Sequence, residues 1–309
     1  MNRKIIYALI IPILCALIFF KPDRIIAAEL TENTEMKTAS TEEVLKDQWV
    51  NKDGSYYYYQ SDGSVLKKEG INSINGDKYL LDKNGKRLYG LNKVKGKWYY
   101  FDTKTGRLFT KKGWKKIKGI KYYVKKGGVL ATGIVKIGKT LYGFEKTGEL
   151  RGFTKPFKYK GKWYRTNNKG VAEKLSKIQV SCSKATCRYI DKHTTSKMSK
   201  KSKLRTLFNC LEAGNYVPGC IDRKETEKKD FPYNIASMVL SNGRLNCYGQ
   251  ACTFASFAKE LGYEPYVIVM DVDHAVVMID GKYYDNMGAR FAAKEPLLKD
   301  FKVYKKVKF

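Results

Sequence analysis

The sequence predicts a multidomain protein: an N-terminal solenoid of β-hairpin repeats, all-β, followed by an α+β domain. Three observations carry that prediction. Gly70, Gly90, Gly113, Gly133 and Gly152 recur at steps of 20, 23, 20 and 19 residues, the period of a repeat architecture. Short aromatic runs lie between the glycine turns of that zone. Apolar residues at helical spacing appear downstream, in the part that also holds both histidines and six of the seven cysteines. A chain of 309 residues has room for two such domains.

Taken in order, the N-terminus has a secretory layout. Arg3 and Lys4 precede the apolar run Ile5 to Phe20, and Ile25-Ile26-Ala27-Ala28 closes it. Residues 1–28 are read as a signal peptide cleaved after Ala28, because the run is short for a membrane span. Leu14 before Cys15 argues against a lipoprotein. No apolar stretch of spanning length lies beyond residue 28, so no membrane association is expected after signal removal. Residues 29–47 carry six acids and two lysines without apolar period, and read as a disordered acidic linker. The whole chain has 60 Lys and Arg against 30 Asp and Glu, and its 13% aromatic content, with 23 Tyr, excludes a wholly disordered protein.

Residues 48–174 form the repeat zone. Gly54, Gly76, Gly96, Gly119, Gly138 and Gly161 mark one turn in each of about six units. Gly63, Gly85, Gly106, Gly128, Gly148 and Gly170 mark another. Between them lie runs such as Tyr56 to Tyr59, Trp98-Tyr99-Tyr100-Phe101 and Trp163-Tyr164, which read as hairpins. One hairpin cannot bury its own face, so neighbours must stack. The zone holds 31 basic and 9 acidic residues, a net of +22 and a strong positive field. No nucleic-acid-binding motif accompanies it, so no specific nucleic acid is expected, and anionic wall polymers suit an exported protein better.

Its best stretches, GKWYYFDTKTGRLFTKKGWKKIKGIKYYV and GKWYRTNNKG, resemble the cell-wall-binding repeats of Gram-positive surface proteins, the family of choline- and glucan-binding modules. The resemblance implies a secreted, cell-wall-associated protein held by teichoic acid, peptidoglycan or glucan. Choline sites in that family are aromatic cages, since a quaternary ammonium binds aromatic faces. The Gly-Trp dipeptide that supplies one cage wall occurs here at Gly113-Trp114; elsewhere Ile71, Leu91, Ile134 or Phe153 follows the glycine. One cage is therefore expected, of Trp98, Trp114 and Tyr122.

Residues 175–309 carry the candidate chemistry. Leu204, Leu207, Phe208 and Leu211 lie on one helical face, which Gly214 ends. Phe231 to Leu240 reads as a second helix with Pro232 in its first turn. Ala251, Phe254, Ala255, Ala258 and Leu261 follow the helical period, and Gly262 stands where that helix stops. Cys247 thus opens a helix, where unpaired N–H groups and the dipole favour a thiolate. Cys252 reads as a small buried apolar residue, and a regular helix does not bring positions 247 and 252 face to face. Cys182, Cys187, Cys210 and Cys220 are disulfide candidates, being near in sequence in an exported chain. The cysteine spacings lack a CxxC pair, so no metal is expected, and no cofactor motif appears.

Tyr266 to Met270 reads as a strand. His274 to Ile279, the turn Asp280-Gly281 and Lys282 to Asp285 read as a hairpin. A two-residue turn pairs Ile279 with Lys282, Met278 with Tyr283 and Val277 with Tyr284, so His274 and Asp285 share a face as diagonal neighbours. His193, set among Lys, Thr and Ser, reads as solvated. A Cys opening a helix, a Gly fifteen residues on, two strands, His-Ala on a strand and Gly-Lys-Tyr-Tyr-Asp resemble the transglutaminase-like (papain-like) superfamily over roughly residues 200–290. The resemblance implies a nucleophile at Cys247, a base at His274 and an orienting acid at Asp285. It implies a thioester intermediate in a peptidase, amidase or transglutaminase-type acyl transfer on a peptide or protein substrate. Val276 and Asn286 depart from the pattern, and no tryptophan follows Trp163, so the oxyanion donor of true transglutaminases is missing. Tyr233, Asn246 and Gln250 are its candidate replacements. A non-catalytic adhesion protein with a degenerate fold of that kind is the alternative.

Overall fold

A computed structural model describes residues 45–298 and 301–309. The expected signal peptide and the expected linker as far as residue 44 lie outside the described residues.

Six antiparallel hairpins succeed one another in the first half. Their strands are Gln48–Lys52 with Ser55–Tyr59, Gly70–Ile74 with Asp77–Leu81, Gly90–Val94 with Lys97–Phe101, Gly113–Ile117 with Ile120–Val124, Gly133–Ile137 with Thr140–Phe144, and Phe157–Tyr159 with Lys162–Thr166. The turns explain their regularity. Asp53-Gly54, Asn75-Gly76, Lys95-Gly96, Lys118-Gly119 and Lys160-Gly161 all have positive φ at both positions. That is the backbone of a two-residue turn whose twist matches the strands it joins.

Each hairpin leans on the one before it. The amides of Leu108, Leu130 and Leu150 donate to the carbonyls of Lys78, Trp98 and Lys121, each at 2.8 Å. Small apolar clusters fill the gaps between neighbours: Tyr58, Ile74 and Tyr79 in one, Leu80, Phe101 and Leu108 in the next, Tyr100, Tyr122, Val124 and Leu130 in a third. Burial here is nearest-neighbour, as stacking of short repeats requires.

The second half is built differently. Four helices, α1 (Lys177–His193), α2 (Lys200–Glu212), α3 (Phe231–Asn242) and α4 (Cys247–Glu260), pack with an antiparallel sheet. Its strands β1 (Tyr266–Met270), β2 (Ala275–Ile279), β3 (Lys282–Asp285), β4 (Arg290–Ala293) and β5 (Val303–Lys308) are ordered β4-β3-β2-β1-β5. Helix α4 is the centre: every one of its residues is buried. Leu207, Phe208, Phe254, Phe257, Val267 and Val277 meet in one large core.

Helices α2 and α4 lie where the apolar spacing places them, and α3 starts at the first turn that Pro232 marks. Helix α1 does not follow from that reading, but a start signal was present. Ser176 accepts from the Gln179 amide while the Gln179 side chain accepts from the Ser176 amide, a reciprocal capping box. Strand β5 is also unforeseen; it pairs along β1 at the sheet edge, Tyr266 opposite Lys308 and Val267 opposite Val307. The last hairpin is tied to α4 by polar contacts. Arg165 Nη2 lies 2.6 Å from Glu260 Oε1, both side chains under 5% exposed. Asn167 and Asn168 donate to the Glu264 carboxylate and the Gly262 carbonyl.

Candidate functional site

Cys247 is the first residue of α4. Asn246 caps the helix, accepting from the Gly249 amide and donating through Nδ2 to the Ile221 carbonyl at 2.9 Å. This pins the strand-to-helix corner that presents the sulfur. The thiol donates to the Asp273 carbonyl at 3.7 Å, just ahead of His274 in the chain.

The hairpin has the register read from the Asp280-Gly281 turn: Ile279 opposite Lys282, Met278 opposite Tyr283, Val277 opposite Tyr284. As a result His274 Nε2 donates to Asp285 Oδ2 at 3.0 Å, with both residues buried. The Cys247 thiol also acts electrostatically on the imidazole. Burial by itself lowers the imidazole pKa, but the hydrogen bond to Asp285, the one to Cys247 and their charges outweigh it and raise the value to about 9. The structure therefore pairs His274 with Asp285 and sets the buried Cys247 thiol against the backbone just ahead of His274.

Two supporting residues escaped the sequence reading. Asp273 holds φ at +54°, a left-handed conformation that reverses the chain between β1 and β2. Its carboxylate accepts from the Tyr248 hydroxyl at 2.6 Å. Tyr248 neighbours Cys247, so the residue after Cys247 anchors the residue before His274. The only sequence signal was a hydroxyl-bearing aromatic next to Cys247, which has no meaning until the Asp273 corner is known.

The oxyanion candidates fare poorly. Tyr233 packs on Phe309, with ring centroids 4.2 Å apart, away from the thiol. Asn246 is spent on its cap, and Gln250 Nε2 donates to the Leu211 carbonyl at 3.2 Å. Tyr216 is nearer. The pair Asn215–Tyr216 lies parallel to Arg244–Leu245, and the phenol interacts with the Cys247 backbone. Its oxygen also faces Met287 Sδ at 4.0 Å.

The four disulfide candidates are free thiols, as are Cys247 and Cys252. Cys182 and Cys187 both lie on α1, five residues apart, which points them in different directions. Cys182 faces the core, Cys187 contacts Glu260, and burial pushes both thiols up to about 11. Cys210, on α2, turns to His193 Nδ1 at 3.8 Å rather than toward Cys220. His193 is accordingly half-buried and stacked on Tyr189 at 4.2 Å, not solvated.

The expected cage of Trp98, Trp114 and Tyr122 is not formed. Trp114 pairs across its hairpin with Tyr123, so Tyr122 projects from the opposite face. Tyr122 and Trp98 belong to a packed cluster. Trp114 instead meets Tyr142 at 5.0 Å, Tyr123 at 5.3 Å and Phe144 at 5.9 Å, and remains 42% exposed.

Residues 68–112 match the choline-binding repeat family, and residues 47–65 and 112–130 match the cell wall binding repeat family. These matches span the first four hairpins, which thus carry cell-wall-binding repeats of the choline-binding type. Among solved structures, choline binding protein F from Streptococcus pneumoniae, determined with a peptidoglycan analogue, is 29% identical, with 40% of each chain covered and a TM-score of 0.34. CbpJ from the same organism is 26% identical over 40% of this chain and 41% of its own, with a TM-score of 0.34. The Cpl-1 endolysin complexed with a peptidoglycan analogue is 25% identical over 42% of this chain and 37% of its own, with a TM-score of 0.29. This chain spans about two fifths of the length of those proteins. No curated protein sequence matches it. No helix among the described residues is long and apolar enough to cross a membrane.

Proposed function

We propose that this protein is a cell-wall-attached thiol enzyme that opens an amide or peptide bond through Cys247, His274 and Asp285. One observation carries the reading: His274 is held by Asp285 at 3.0 Å, and the thiol of Cys247, at the start of a buried helix, reaches the Asp273 carbonyl beside it at 3.7 Å. His274 takes the thiol proton, and the sulfur attacks the carbonyl carbon. A C–S bond forms and the π pair moves to oxygen, facing the Cys247 N–H, with the Tyr216 phenol as a further candidate donor. Collapse expels the amine, protonated by the imidazolium, and leaves a thioester. Asp285 keeps the imidazole oriented throughout. Water as acceptor completes a hydrolase cycle; a lysine amine completes a transglutaminase-type transfer. Hydrolysis is preferred, since the tryptophan donor of true transglutaminases is absent.

Iodoacetamide labelling of the full chain tests the thiol. Cys247 should label at pH 6.5, and His274→Ala should slow this at least tenfold without changing the circular dichroism. Equal labelling in both would refute the triad. A cleavage screen of peptides and wall fragments with mass readout then identifies the substrate. Tyr216→Phe should slow acylation by p-nitrophenyl acetate about 10- to 100-fold while leaving iodoacetamide labelling alone, because only the former passes through an oxyanion.

The repeats supply attachment. They carry the +22 charge and the exposed Trp114–Tyr142 cluster, which suits a quaternary ammonium on an anionic polymer such as choline-bearing teichoic acid. The full chain should pellet with choline-containing Gram-positive walls and be released by free choline. Retention that salt alone abolishes would assign binding to charge instead. The second reading, a non-catalytic adhesion protein, draws on the family matches ending at residue 130.

A further inference from the structure

Arg87 is the anomaly of the repeat zone. It is 7% exposed, yet no carboxylate pairs with it among the described residues. Buried charges are ordinarily paired or neutralised, so this one needs another partner. Its partners are rings. The guanidinium carbon lies 4.3 Å from the ring centre of Tyr56, 4.5 Å from Trp49, 5.1 Å from Tyr89 and 5.8 Å from Tyr79. Nε donates to the Tyr89 hydroxyl at 2.8 Å.

These rings come from separate elements. Trp49 and Tyr56 stand on the two strands of the first hairpin, sharing a face because Trp49 is opposite Tyr58. Tyr79 stands on the second hairpin, and Tyr89 follows it. Gly106 closes the remaining side: a Cβ there would sit 2.6 Å from Arg87 Cδ. Such an arrangement satisfies the cation by π faces and one phenol oxygen, without a carboxylate.

We propose that Trp49, Tyr56, Tyr79 and Tyr89 form a cation-binding cage that this chain occupies with its own Arg87. The cage selects a large, weakly hydrated cation, of the quaternary ammonium or guanidinium class. Because the ligand is covalently supplied, the site is closed to cations from outside, and recognition of external cations by the repeats falls to the open Trp114–Tyr142 cluster. The inference is independent of the proposed enzymatic activity.

Removal of Arg87 should convert the closed cage into an open one. The experiment uses the full chain with Trp114→Ala throughout, so that the open cluster is silent. Tetramethylammonium chloride is titrated against matched sodium chloride, and Trp49 fluorescence and near-ultraviolet circular dichroism are read. With Arg87 present, no tetramethylammonium-specific response is expected. In Arg87→Ala the probe should bind at least tenfold more tightly than to the Arg87 protein and should restore near-ultraviolet signal lost by the substitution. Adding Tyr56→Leu should abolish that response. Arg87→Met, which keeps the apolar stem, serves if the alanine variant loosens the first hairpin. Equal responses with and without Arg87, or no response and no restoration in either variant, would overturn the proposal.

Discussion

The repeat zone and the C-terminal half bury their apolar residues in opposite ways. In the repeats, each cluster holds only a few aromatic and aliphatic side chains from adjacent hairpins. In the C-terminal half, one core links four helices and the sheet around the fully buried α4. The difference teaches where cooperativity and chemistry can reside. A stack of hairpins loses contacts only with its neighbours when one unit is damaged, so it presents separable surface sites. A single core transmits damage everywhere, and it holds His274 and Asp285 dry and oriented.

The largest test of that contrast is a core deletion. Phe254→Ala should cost about 3–5 kcal/mol. All four tryptophans lie in the repeats and all four α-helices in the other half, so tryptophan fluorescence and far-ultraviolet dichroism report the two regions separately. In urea, only the dichroism midpoint should fall strongly. A matching fall in fluorescence would mean that the halves unfold as one.

Next in size is the tie between them. Glu260→Gln leaves Arg165 buried without its carboxylate and should cost about 3 kcal/mol, as broken buried pairs do. The gap between the two urea midpoints should widen. An unchanged gap would mean that the contacts of Asn167 and Asn168 suffice to couple the halves.

A smaller effect should vary with pH. The His274 pKa is raised to about 9, so its stabilisation is fully present below the unfolded value near 6.5 and is lost as pH rises through 9. The stability difference between the protein and His274→Gln should therefore shrink from pH 6 to pH 10. A difference growing with pH would indicate a neutral buried imidazole.

The smallest is a turn. Gly119 has φ +84° and open space where a methyl would stand, so Gly119→Ala costs only backbone strain, about 1 kcal/mol. It should perturb Trp114 fluorescence, which reports the same hairpin, and leave the helical signal unchanged.

Local patterns alone determined much of this protein. The glycine turns define six hairpins, the helical spacing locates α2 and α4, Pro232 marks the start of α3, and the Asp280-Gly281 turn sets His274 and Asp285 on one face. These are consequences of backbone dihedrals and of the two- and 3.6-residue periods, which act over a few residues. The same register rule, applied at Lys118-Gly119, separates Trp114 from Tyr122. Only the tertiary structure decided which rings meet across hairpins, that Arg87 fills a cage, that Tyr248 anchors Asp273, and that Cys210 turns to His193 rather than to Cys220. Those outcomes depend on how distant elements pack and on which rotamers the packing allows, and no local period encodes them.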